Sequence, residues 1–155
     1  MDKKKLIREQ LDVSLERFSP LRNAVAPPKG WIRAIRGALG MTARQLAERL
    51  GVAQQAVARI EKEELSGSVT IKTMRRIADS LDCVFVYGFV PRTSLEETVA
   101  RQAQRVAIKR LSKASQTMRL EKQALSRKEN ARVLSALADE LIRTLPATLW
   151  DDHND

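Results

Sequence analysis

Between Ala43 and Lys62 four small or branched residues, Ala47, Gly51, Val57 and Ile60, stand at spacings that few backbones accommodate. Two short helices that cross steeply through a tight turn impose a separate steric demand at each of these positions. Ala47 is small enough for close approach at the crossing, and Gly51 takes a positive φ at little cost where the chain reverses. Val57 and Ile60 lie three residues apart and share one side of the second helix, which is therefore its buried side. The set predicts a helix over 42–50, opened by Thr42 as N-cap, and a second over 53–63.

Knowing which side of the second helix is buried also identifies the side that is free. Gln54, Gln55 and Arg59 project from it near the front of the helix, where a recognition helix meets the major groove of DNA. The chemistries suit that task, since glutamine can bridge N6 and N7 of adenine and arginine can bridge O6 and N7 of guanine. Thr42, Arg44, Lys62 and Lys72 are the candidate phosphate contacts. Flanking helices complete the unit. One runs over 31–39 with Trp31, Ile32, Ile35 and Leu39 inward and stops at Gly40. The other is capped by Thr70 and runs to Leu81 with Ile71, Met74 and Ile77 apolar.

The charge balance agrees with a polyanionic partner: 28 basic against 19 acidic residues leave +9 on 155 residues. Aromatic residues make up only 4%, which provides few platforms for stacking unpaired bases and argues against single-strand and RNA modules. Cys83 is the only cysteine and His153 the only histidine, so one chain cannot assemble a disulfide, a Cys/His zinc site or a Ser/His/Asp set. Cys83 reads as a small buried hydrophobe. The pairs Glu63-Glu64 and Glu96-Glu97 are sequence neighbours and point to different sides of a helix, unlike carboxylates that converge on a substrate. No enzyme activity and no cofactor are expected. Met1-Asp-Lys-Lys-Lys is not followed by an apolar signal core, and the longest apolar run, 83–90, falls short of a membrane span. The expected location is the cytoplasm, at the nucleoid, with no membrane contact.

Outside the central unit the pattern remains helical, with one exception. Ile7, Leu11, Leu15 and Phe18 recur as one face of an amphipathic arm, and 26–30, rich in proline, ends it. Residues 82–90 are β-branched and aromatic up to Pro91, which predicts a single strand with no second strand to pair with. Unpaired strand edges are costly if buried and adhesive if exposed, so this strand is expected to pair with its copy in a twofold homodimer through 83–90. Beyond it, a helix capped by Thr93 or Ser94 carries Leu95, Val99, Ala103, Val106, Ala114 and Met118 as a stripe, with Leu125 near its end. Ser126 and Glu129 have capping-box spacing and open a last helix over 127–145, followed by a frayed tail from Trp150. Ten basic residues between Arg101 and Arg132 face only Glu121 and Glu129, an excess of +8. This run reads as a solvated face, as extra phosphate contacts or as a dock for an acidic partner.

The segment Gly51-Val-Ala-Gln-Gln-Ala-Val-Ala-Arg-Ile-Glu61 resembles the turn and recognition helix of phage repressors of the lambda and 434 kind and of the wider Xre-like family. That resemblance implies base contacts at Gln54, Gln55 and Arg59 and a structural ion pair between Arg36 and Glu61. Ala43 and Glu63 depart from it, standing where many members have a phosphate-binding glutamine and a glycine. A resemblance over more of the chain rests on Pro28–Arg36, Val86–Pro91 and Ser94–Glu97, and is to the proteins called mobile mystery protein A. It implies a neighbouring Fic-domain toxin, bound through the C-terminal helices, and an antitoxin that represses its own toxin-antitoxin operon. Fic inhibitors commonly carry Ser or Thr, three residues, Glu, then Gly or Asn. Ser126-Arg-Lys-Glu129-Asn130 is one residue short of that, and the capping box outweighs it.

The expected fold is thus mainly α, a lambda-repressor-like helix-turn-helix domain with a helical arm, one dimerising β-strand and C-terminal helices. Its expected parts are an arm over 1–27, the DNA-binding domain over 28–82, the strand over 83–91, a helical region over 92–146 and a tail over 147–155. The expected function is a repressor at a double-stranded operator. The alternative is an interaction module that inhibits a Fic AMP-transferase, with DNA binding secondary.

Overall fold

The computed structural model describes residues 3–120 and 126–151, and over 118–120 the backbone alone. The helices are α1 (Lys3–Glu16), α2 (Trp31–Ala38), α3 (Ala43–Leu50), α4 (Gln54–Ser66), α5 (Ile71–Ser80), α6 (Leu95–Leu120) and α7 (Arg127–Thr144). Short 3-10 turns occupy Ser19–Asn23 and Ala147–Trp150. The chain divides into two compact units: Asn23–Gly88, and Met1–Arg22 taken with Phe89–Asp155.

In the unit over 23–88 each helix is started and stopped by local chemistry. Thr42 and Gln45 form a reciprocal capping box, the Gln45 N–H donating to the Thr42 hydroxyl at 3.2 Å and the Thr42 N–H to the Gln45 amide oxygen at 2.8 Å. Gly51 ends α3 in the left-handed region at φ 67°, and the Val52 N–H returns to the Ala47 carbonyl at 3.0 Å. Thr70 caps α5 by accepting from the Thr73 N–H at 3.1 Å. Helix α2 has Gly30 at its N-cap and thus no capping side chain of its own. Glu64, far along the chain on α4, substitutes for one, its carboxylate accepting from the Trp31 and Ile32 N–H groups at 2.7 and 3.1 Å. The core gathers Ile32, Leu46, Ala47, Val57, Ile77 and Leu81. Each large side chain buried this way contributes about 1.5–3 kcal/mol.

The predicted strand over 83–90 is not present: among the described residues no strand forms, and this segment is irregular. Cys83 packs against the edge of the core, whereas Val84 and Val86 are 85% and 70% exposed. Phe85 stacks on Tyr87, over whose ring the Arg75 guanidinium sits at 5.8 Å. Its residues are β-formers by type, but a ladder needs a second strand to receive its hydrogen bonds, and the rest of the described chain is helical or irregular. The case for a homodimer through a paired strand falls with it.

In the other unit, α6 and α7 pack around Val99, Ala103, Ala107, Leu141 and Leu149. The alanines let the helices approach closely. Leu149, in the turn after Pro146, is fully buried, and its carbonyl accepts from the Gln102 side-chain amide at 2.8 Å. Helix α7 starts on the capping box expected for it, with the Ser126 N–H donating to Glu129 at 2.8 Å. Hydrogen bonds from the Ser126 side chain and backbone hold the Glu129 carboxyl below the usual carboxylate range. Leu125, at the expected end of the preceding helix, lies outside the described residues.

Helix α1 also belongs to this unit, and its docked face is not the predicted apolar stripe. Of the stripe, Ile7 and Leu11 remain 46% and 47% exposed and Leu15 and Phe18 are half-buried, while Arg8 and Asp12 turn inward to α6. Asp12 caps α6 from outside, accepting from the Leu95 and Glu96 N–H groups at 2.7 and 3.2 Å. Arg8 pairs with Glu96 at 2.7 Å. Orphan amides at a helix start need acceptors, and that need rotates α1 by one residue relative to its hydrophobic pattern.

Candidate nucleic-acid interface

Helix α4 is anchored along one side and bare along the other. Val57 is 1% exposed and Ile60 packs against the same core. Glu61, one residue on, is buried in an ion pair with Arg36, Nε to Oε1 at 2.9 Å, and a second guanidinium nitrogen of Arg36 donates to the Met41 carbonyl at 2.9 Å. This ties α2, the turn before α3, and α4 together at one point. It is the pair implied by the Xre-like resemblance.

Gln54, Gln55 and Arg59 are exposed, Gln55 and Arg59 opposite that anchored side and Gln54, three residues before Val57, at its edge; Gln54 and Gln55 are the first two residues of α4. Ala53 is the N-cap and has no side-chain hydrogen bond to give. The first amides of α4 are therefore uncapped by side chains, at the end of the helix where the backbone dipole attracts anions. Arg59 forms an i,i+4 pair with Glu63 at 3.5 Å, with 72% of the arginine side chain exposed. A pair of that exposure contributes only about 0.3–0.5 kcal/mol, so the guanidinium can leave it for a base edge at small cost.

The phosphate candidates are dispersed around this helix. Thr42, exposed at the start of α3, uses its hydroxyl in the capping box, so only part of its hydrogen-bonding capacity is left. Arg44 sits on the first turn of α3 in a loose 3.7 Å pair with Glu48. Lys62 and Lys72 are exposed on α4 and on the first turn of α5. Two further arginines brace the unit: Arg49 donates to the Ser80 carbonyl at 3.2 Å and Arg76 to the Leu50 carbonyl at 3.0 Å, clamping α3 to α5.

Sequence reasoning missed Glu64. The signal was the glycine at position 30: a helix that begins after a residue with no side chain needs an acceptor from elsewhere. It also set Glu63 and Glu64 aside as pointing different ways, and they do, one to Arg59 and the other to the amides of α2.

The family model described as Helix-turn-helix, the Xre-like form of that motif, matches residues 32–85, a little over a third of the chain. Over residues 32–85 the chain is thus similar to a DNA-binding, regulatory helix-turn-helix family. No curated protein and no solved structure matches the chain. The family match stops before the Val86–Pro91 and Ser94–Glu97 segments, and neither the further resemblance to mobile mystery protein A nor its Fic-domain neighbour gains support. Among the described residues no helix is long and apolar enough to cross a membrane.

Proposed function

We propose that this protein is a sequence-specific regulator of transcription that reads double-stranded DNA with α4, repressing from the site it occupies. Gln54, Gln55 and Arg59 contact base edges in the major groove, while Thr42, Arg44, Lys62 and Lys72 contact phosphates on either side. The observation that carries this reading is the two-sidedness of α4. Val57, Ile60 and the Arg36–Glu61 pair hold one side, which leaves the amide and guanidinium groups pre-oriented on the other. A single reading helix addresses only one half-site of a few base pairs, so the operator is twofold symmetric and occupied by two copies.

The test begins with selection of bound duplexes from a random-sequence library, followed by affinities on the selected site and on unrelated DNA. Gln55→Ala or Arg59→Ala costs about 1–3 kcal/mol on the selected site and little on unrelated duplex. Lys72→Ala weakens both alike and lowers the salt slope by about 0.9. Equal losses on both duplexes for all three variants, or a library that yields no enriched sequence, would remove α4 from the reading role.

A further inference from the structure

Three exposed basic side chains of this chain stand one helical turn from a carboxylate they pair with: Lys5 with Glu9, Arg44 with Glu48, Arg59 with Glu63. On helix α6 basic residues follow one another at that spacing instead. One turn on from Arg101 stands Arg105, then Lys109, then Lys113, all exposed, and no acidic residue occurs anywhere from Thr98 to Leu120. Like charges at i,i+4 repel along a helix, and here three such pairs follow in succession. The run concentrates positive charge along one exposed face of the helix.

The stripe is also fixed in orientation. Val99, Ala103 and Ala107 are buried in the hairpin with α7, which turns the basic residues of the same helix outward. Between them and beside them lie Gln104, Ser112 and Gln116, exposed polar groups of the kind that donate to phosphate oxygens. Arg101 donates to the Thr93 hydroxyl at 3.1 Å, which steadies its guanidinium and leaves other N–H groups to bind. From Arg101 to Lys113 the helix rises about 18 Å, the axial length of roughly five base pairs.

We propose that this face of α6 is a second, sequence-independent binding surface for the phosphate backbone of duplex DNA. An acidic protein is the less fitting polyanion. Stable protein interfaces centre on aromatic anchors, and no aromatic residue occurs from Thr98 to Leu120, where Ile108 is an isolated exposed hydrophobe. The choice of DNA among polyanions rests on the reading of residues 32–85 as DNA-binding, whereas the stripe itself does not.

The experiment uses the full chain and its Arg105→Gln/Lys109→Gln/Lys113→Gln variant, glutamine being an adequate helix former, with circular dichroism to confirm equal helix content. Binding to a 30-base-pair duplex of unrelated sequence is followed by fluorescence anisotropy across a range of sodium chloride concentrations. The expected result is a fall in the slope of log K against log salt of about 0.9 per lost contact, to about 2.7 for the triple variant. An unchanged slope overturns the proposal. So does an unchanged slope accompanied by lost binding to polyglutamate, which assigns the stripe to an acidic protein. Arg59→Ala, run beside it, keeps the two readings apart. A variant set in which Arg59→Ala leaves site preference intact while the triple lowers the slope defeats the reading role of α4 and upholds this surface.

Discussion

At the scale of single residues, two positions illustrate how far local chemistry and tertiary contact diverge. Gly30 and Gly40 both have positive φ, 82° and 64°. A Cβ at Gly40 meets open space, whereas one at Gly30 would lie 2.5 Å from the Glu64 carboxylate oxygen that caps α2. Gly40→Ala is thus expected to cost about 1–2 kcal/mol, the backbone strain alone. Gly30, at φ 82° and ψ 161°, lies where only glycine rests cheaply, so Gly30→Ala adds that strain to the displaced cap and costs about 2–4 kcal/mol. Urea midpoints measure both, and equal losses at the two positions would show that the Glu64 cap contributes nothing. The exposure of Gln55 and Arg59 was legible because it follows from the burial of Val57 and Ile60 on the same helix. Glu64 and Asp12 were not, because each caps a helix distant in sequence.

Among the elements, helix starts were the most legible and the strand the least. Thr42, Thr70 and Ser126 each cap the helix that follows, since an N-cap acts within three residues and needs no tertiary partner. Helix α4 runs on to Ser66, past the predicted end at 63, because Gly67 is the first residue that takes the left-handed conformation cheaply. The Ser126–Glu129 box makes the start of α7 sensitive to acid. The folded-state pKa of Glu129 is depressed, so its contribution is present above the unfolded value and is lost as pH falls through the folded one. The protection factors of amides in the first turn of α7, that is exchange relative to the intrinsic rate at each pH, are expected to fall as the pH drops below the carboxylate range. Glu129→Gln should flatten that dependence, and Ser126→Ala should leave α7 less stable by about 1 kcal/mol at neutral pH. An acid response that survives Glu129→Gln would place its origin elsewhere.

For the whole molecule, the two compact units have separate cores, one on Leu46 and Val57 and the other on Ala103, Leu141 and Leu149. Leu149→Ala is expected to destabilise the α6–α7 unit by about 2–5 kcal/mol. It should also leave unchanged the base preference proposed for α4, as read by affinity for the selected site, with amide exchange in each unit reporting where the loss falls. Loss of that preference would make the units energetically one. The sequence alone determined the helix-turn-helix, because steric demands at Ala47, Gly51, Val57 and Ile60 and caps at Thr42 and Thr70 are satisfied within a few residues along the chain. Only the tertiary structure decided the rest: that 83–90 stays out of any strand, that α1 docks through Arg8 and Asp12, and that Leu149 closes a core. Those outcomes depend on which partner reaches an unsatisfied amide, carbonyl or apolar surface, and such partners lie tens of residues away in the chain.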